Sequence, residues 1–207
     1  MSDTKQRILD EALTLFAQKG YGDVYVGEIA EAVGIKAPSL YKHFKGKKEI
    51  FEAIKAEMSG RYLKTALGIG ISGEDYSKDA SIYKDISEDF LCEIGTGLFL
   101  FFLHDDHMSK FRKMLTLEQF KDKDMAKLYS ALLYDGPISY QAQIFQTLIS
   151  LGSFKEGDPQ LMAVEFYSPI YMLLTECDRN PDHEKKALEI MDSHIRAFAA
   201  EYGRINR

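Results

Sequence analysis

Apolar residues recur along this chain with the 3.6-residue period of an α-helix, and strict alternation never persists for more than a few residues. That pattern predicts an all-α fold. Asp3 opens a D-x-x-Q capping sequence that closes at Gln6, and Ile8, Leu9, Ala12, Leu13 and Phe16 then form one apolar stripe ended by Gly20. A second helix is expected over 26–33, stopped by Gly34. A third is expected over 37–44, where Pro38 is tolerated in the first turn. The fourth, 47–67, places Ile50, Phe51, Ile54 and Met58 on one face and meets glycines at 68, 70 and 73. Helices over 82–104, 108–120, 122–151, 158–178 and 181–203 follow, the third of these bent at Gly136-Pro137, for about nine in all. Asp158-Pro159 and Asn180-Pro181 each pair a capping side chain with proline at the first helical position.

A chain of 207 residues can bury one large core or divide into a small domain and a larger one. The longest strongly apolar stretch, 97–103, is far short of the ~20 residues a membrane span needs. No signal-peptide core precedes the first helix, so a cytoplasmic protein with no membrane partner is expected. Cys92 and Cys177 form no metal-binding spacing and read as small core hydrophobes. The net charge of −6 argues against a polyanionic partner until it is resolved by region. Residues 1–64 hold 11 Lys+Arg against 9 Asp+Glu, a net of +2, while the remainder holds 15 against 23, a net of −8. A basic head is joined to an acidic body.

Within the head, residues 36–48 carry Lys36, Lys42, Lys45, Lys47 and Lys48 with no carboxylate among them. The pattern around them fits a helix-turn-helix, in which two short helices cross closely and the second enters the major groove. Ala30 is small enough for the crossing, and Gly34 accepts the left-handed backbone of the turn. Ile29, Val33, Ile35, Leu40 and Phe44 would fill the small core, leaving Lys36, Ser39, Tyr41, Lys42 and His43 outward. Cations and hydroxyls of this kind bind phosphates and reach base edges.

The stretches ILDEALTLFAQKGY, GEIAEAVGI and above all LYKHFKGKKEIF resemble the TetR-type (tetracycline-repressor-like) transcriptional regulators, most strongly over 7–51. The resemblance implies a DNA-binding domain at 1–46 and a helical ligand-binding and dimerisation domain at 47–207. It implies phosphate contacts from Tyr41, His43 and Lys47, and base contacts from Ala37, Pro38, Ser39 and Lys42. It also implies a homodimer on a palindromic double-stranded operator, most simply a repressor released by a small, mainly apolar effector, with no cofactor. Two positions depart from the family pattern. Val24-Tyr25 stands where hydroxyl residues are common, and Gly27 where a cation is frequent.

In the body the resemblance is architectural, with the last two long helices pairing across the dimer. The stripe Ala187, Ile190, Met191, His194, Ile195, Phe198 is the face such pairing would bury, with Leu161, Val164, Tyr167, Ser168, Tyr171, Met172 and Thr175 on its partner helix. Pockets are lined mainly by apolar and aromatic groups. Phe99, Phe102, Met108, Met125, Tyr140, Phe145 and Tyr167 are the candidate lining, with Tyr134 and Phe166 as further aromatic candidates.

Two other patterns carry residue types associated with ligand chemistry. Residues 68–73 match G-x-G-x-x-G, but a long helix precedes them where a dinucleotide fingerprint requires a strand. His104-Asp105-Asp106-His107 is rich in metal-ligating groups, but no second His/Asp cluster completes a metal site, and a helix junction rich in capping residues is the preferred reading. The alternative function is therefore a helical metal-dependent enzyme or ligand-binding protein with an incidental helix-turn-helix.

Overall fold

The computed structural model describes residues 3–84 and 87–203. Among them are eleven α-helices: α1 (Asp3–Lys19), α2 (Val26–Val33), α3 (Ala37–Leu40), α4 (Lys47–Gly68), α5 (Tyr76–Tyr83), α6 (Glu88–His104), α7 (Asp106–Glu118), α8 (Lys123–Leu133), α9 (Asp135–Ser150), α10 (Pro159–Arg179) and α11 (Glu184–Tyr202). A single 3-10 turn, Pro181–His183, precedes α11. The all-α class read from periodicity is the observed one, and the two helices beyond nine have local causes.

The first is α5. Asp75 caps it by accepting the Lys78 backbone N–H at 3.1 Å. Eight residues after a glycine-rich turn carry too little apolar periodicity to announce a helix. The second arises where a continuous helix over 122–151 was expected. It breaks at Tyr134, whose backbone leaves helical geometry at φ −135°, ψ −80°. A Cβ on Gly136 would lie 1.9 Å from the Ala131 carbonyl oxygen, so this close approach requires glycine. Pro137 has no N–H to continue the ladder and is accommodated only in the first turn of a new helix. At the other expected proline start, Asn180 makes no side-chain cap and instead donates to Glu176 at 2.8 Å, so the segment begins as 3-10.

The chain packs as two compact units, Met1–Arg61 with Asp105–Tyr129, and Tyr62–His104 with Ser130–Arg207. They differ from a division at 46/47, because α4 up to Arg61 and all of α7 group with the head. In the first unit α1 packs against α2 and α7. It buries its whole stripe of Ile8, Leu9, Ala12, Leu13 and Phe16. Rings of Phe16, Tyr21, Phe51 and Phe111 follow one another at centroid separations of 5.2, 5.0 and 6.2 Å. In the second unit α10 packs on α9 and α11, α5 on α9, and α11 on α6. Phe198 sits among Phe145, Phe166 and Tyr202 at 5.2, 4.9 and 4.7 Å.

The stripe Ala187, Met191, Ile195, Phe198 is buried inside the subunit, and His194 hydrogen-bonds the Phe166 carbonyl at 2.9 Å. That corrects its assignment to a dimer face. The large apolar residues that α10 and α11 leave exposed are Leu161, Val164, Met172 and Ile190. No helix among the described residues is long and apolar enough to cross a membrane.

Candidate functional site

The head places a short helix, flanked by Lys36 and Lys42, on a packed support. Gly34 ends α2 at φ +77°, and the N–H groups of Gly34 and Ile35 return to the carbonyls of Glu31 and Ala30, both at 2.9 Å. Arg7 donates to the Val33 carbonyl at 2.5 Å, tying α1 to the same end. Lys36, at φ −75° and ψ 143°, then turns the chain into α3. Ile29, Ala30, Val33, Leu40 and Phe44 are buried and Ile35 is half-buried, which fixes what faces outward. Lys36, Pro38, Tyr41 and Lys42 are exposed, and Ala37, Ser39 and His43 are half-buried on the same short segment.

Lys47 behaves differently. Its ammonium donates to the carbonyls of Tyr21, Gly22 and Val24 at 2.6, 3.1 and 2.8 Å and lies 4.5 Å from the Tyr21 ring centroid. An ammonium has three N–H donors, and all three serve the α1–α2 loop. Burial pulls its pKa below the ordinary lysine value. Lys47→Ala leaves three carbonyls without that donor. It is expected to cost about 1–2 kcal/mol of head stability, readable as a lower thermal midpoint whether or not DNA affinity also falls.

The positions that depart from the family pattern also have a structural account. Val24 is buried, and Tyr25, which precedes α2, is 73% exposed. Glu28 accepts the Tyr25 backbone N–H at 2.8 Å and pairs with Lys19 at 2.6 Å. The Lys19 hydrogen bond, then that of the Tyr25 backbone, holds the Glu28 carboxyl below the usual carboxylate range. Glu28, three residues on, thus satisfies the N–H of the residue before the helix, the reciprocal half of a capping box. An exposed phenol remains at the helix start, a feature that sequence reasoning missed.

The second unit contains a cavity of about 650 Å³. Phe99, Phe102, Tyr140, Phe145 and Tyr167 stand in its wall, as does Phe166. Met108 and Met125 do not. Both are buried in the head unit, where α7 and the start of α8 pack, so they are core residues of the wrong unit for this cavity. Tyr134, at the break between α8 and α9, is 56% exposed and outside the wall. The wall also holds residues that sequence reasoning missed, including Tyr62, Tyr83, Leu174 and Phe198. Tyr62 continues the Ile54–Met58 spacing by four residues and could have been found; Tyr83 lies on the unforeseen α5.

The remaining patterns resolve into local structure. In 68–73, the N–H groups of Ser72 and Gly73 point to the buried carboxylate of Asp79 at 2.7 and 3.0 Å. An internal anion takes the place a phosphate would need. His104 pairs with Glu184 at 2.9 Å and Asp106 with Lys110 at 2.7 Å. His107 meets Asp10 at 2.9 Å. Asp105 caps α7 through the Met108 N–H at 2.9 Å and binds Arg61 at 3.0 Å. Among the described residues no three His, Cys, Asp or Glu side chains gather as a metal site. Burial raises the Cys92 thiol to about 11 and also raises Cys177, leaving two poorly reactive thiols.

Comparison with known proteins agrees with this geometry. Residues 8–54 match the family model for bacterial regulatory proteins of the tetR family. The biofilm operon icaADBC HTH-type negative transcriptional regulator IcaR of Staphylococcus aureus is 30% identical over 153 residues, spanning 71% of this chain and 78% of IcaR. The chain belongs to the TetR family. As a TetR-family protein it is a DNA-binding transcriptional regulator with a helix-turn-helix reader. Solved structures share the fold across nearly the whole length. SmeT, the repressor of the Stenotrophomonas maltophilia multidrug efflux pump SmeDEF, is 18% identical at a TM-score of 0.66, covering 99% of this chain and 93% of SmeT. A SmeT–triclosan complex reaches 0.70 at 18% identity, over 98% and 93% of the two chains. MexZ of Pseudomonas aeruginosa is 17% identical at 0.67, over 96% of each.

Proposed function

We propose that this TetR-family protein is a repressor that binds a palindromic operator as a homodimer and is released by a small, mainly apolar ligand. The observation that carries the reading is the pairing, in one chain, of an outward-facing cationic reader with an aromatic-walled cavity large enough for a drug-sized molecule. IcaR is a negative regulator by name, SmeT and MexZ are described as repressors, and SmeT has been solved with triclosan. These relatives support repression and an apolar effector here.

In this reading residues 1–46 read DNA, and residues 47–207 sense ligand and dimerise. Lys36, Ala37, Pro38, Ser39 and Lys42 approach base edges, with Tyr41 and His43 on phosphates. Lys47 adds its charge to the same field while holding the α1–α2 loop. Leu161, Val164, Met172 and Ile190 supply apolar surface for the dimer contact. Two recognition helices must then lie about 34–36 Å apart, or a multiple of it, to meet successive major grooves. Ligand acts by favouring a conformer in which α4 sets that separation wrongly. A coupling of about 1–3 kcal/mol changes operator affinity roughly 5- to 150-fold.

In vitro selection of bound DNA by the purified protein tests the proposal directly. The expected product is an inverted repeat with half-site centres about 10–10.5 base pairs apart, or a multiple. Selected sequences without dyad symmetry, or binding no tighter than to random DNA at physiological salt, would sink it.

A further inference from the structure

We propose that one end of the cavity is built to accept a hydrogen bond from its ligand, so that the effector is an apolar aromatic body carrying an O–H or N–H donor at one end. The inference rests on reading the cavity as the effector site and names the chemistry of that effector.

That end is formed by Tyr62, Gly73, Tyr83 and Tyr140. A phenol has one proton to donate and lone pairs to accept with. The Tyr140 hydroxyl donates to the Asp79 carboxylate. The Tyr62 hydroxyl donates to the Gly73 carbonyl at 3.3 Å. The Tyr140 proton is therefore committed to the protein and its oxygen has only lone pairs left to offer, while the Tyr62 hydroxyl makes a longer contact with the Gly73 carbonyl.

Asp79 keeps this polarity in place. Its carboxylate is fully buried on α5 and accepts from the Ser72 N–H at 2.7 Å, the Ser72 hydroxyl at 3.0 Å and the Gly73 N–H at 3.0 Å, besides Tyr140. These donors hold the carboxylate in a fixed position facing the Tyr140 hydroxyl. Burial, followed by the charge of Asp79, raises the pKa of both Tyr62 and Tyr83. These phenols stay neutral, and the negative potential behind them disfavours an anionic ligand. Lys84 and Glu88 also border the cavity, but they are exposed, opposite in sign and screened by water.

Three probes of one shape separate the possibilities: biphenyl, 4-hydroxybiphenyl and biphenyl-4-carboxylate, titrated calorimetrically into the full-length protein. The phenol is expected to bind roughly tenfold tighter than biphenyl, and the carboxylate more weakly than biphenyl. Tyr140→Phe should bring phenol and biphenyl within about threefold of each other. Tyr62→Phe, which leaves Asp79 fully bonded, should shrink the preference without disturbing the fold. If biphenyl binds but all three probes bind alike, or the carboxylate binds tightest, the inference fails while the cavity reading stands. If none of the three binds, the cavity reading itself falls.

Discussion

Lys42→Ala is expected to weaken operator binding by roughly 2–6 kcal/mol, about 1–3 kcal/mol per half-site for a lost base contact. The proposed homodimer would carry the substitution twice, which is why the expected effect is so large. Lys42 is exposed just beyond α3 and lies in the run of five lysines without a carboxylate between Lys36 and Lys48. The same arithmetic applies to salt. Each lost cation–phosphate contact flattens the log–log dependence on salt by about 0.9, so a phosphate-binding residue present in both subunits flattens it by about 1.8. Titrations at several salt concentrations, combined with repeated sequence selection, separate the roles. A base reader changes the selected sequence, while a phosphate contact changes the slope and leaves the sequence as it was. An unchanged affinity and an unchanged selection profile would remove Lys42 from the interface. Its thermal midpoint should stay near that of the parent protein, in contrast to Lys47, whose ammonium is held by three loop carbonyls.

Phe198→Ala should destabilise the second unit by about 3–5 kcal/mol, the usual cost of deleting a buried phenylalanine ring. Phe198 packs against Phe145, Phe166 and Tyr202 with centroid separations near 5 Å. Its loss removes these ring contacts together with the buried area. The surrounding helices cannot fully collapse onto the void, because Phe198 already borders the 650 Å³ cavity and the vacated volume joins it. Denaturant unfolding followed by circular dichroism should show an earlier midpoint with little change in slope. A loss below about 1 kcal/mol would mean that the surrounding helices close over the vacated volume after all. The same variant should admit bulkier apolar ligands than the parent protein.

Helical period, the Asp158 cap and the Gly34 turn were legible in the sequence because each is a local property, whereas the Asn180 cap did not form. The stripe Ile8 to Phe16 is buried as a unit, and Ala30, Val33, Leu40 and Phe44 close the small core around the reader. The residues turned outward on and just beyond α3 follow from that core by elimination. Where local signals were weak, the sequence was silent. The short α5 lacks an apolar stripe, and the break at Tyr134 depends on a Gly136–Ala131 approach that only coordinates reveal.

The body divides differently between the two. Apolar periodicity shows that Met108, Met125, Phe99 and Phe145 are all buried, but it cannot say among which neighbours. Tertiary packing put the methionines in the head core and the phenylalanines around the cavity. It likewise turned the Ala187–Phe198 stripe inward, leaving Leu161, Val164, Met172 and Ile190 for any partner. The sequence by itself determined the helical class, the family and the charged face of the reader, because spacing and charge are written residue by residue. The cavity, its tyrosine–Asp79 end and the inward turn of Lys47 were decided only by tertiary structure. They join residues as far apart in the chain as Asp79 and Tyr140, whose contact no local pattern encodes.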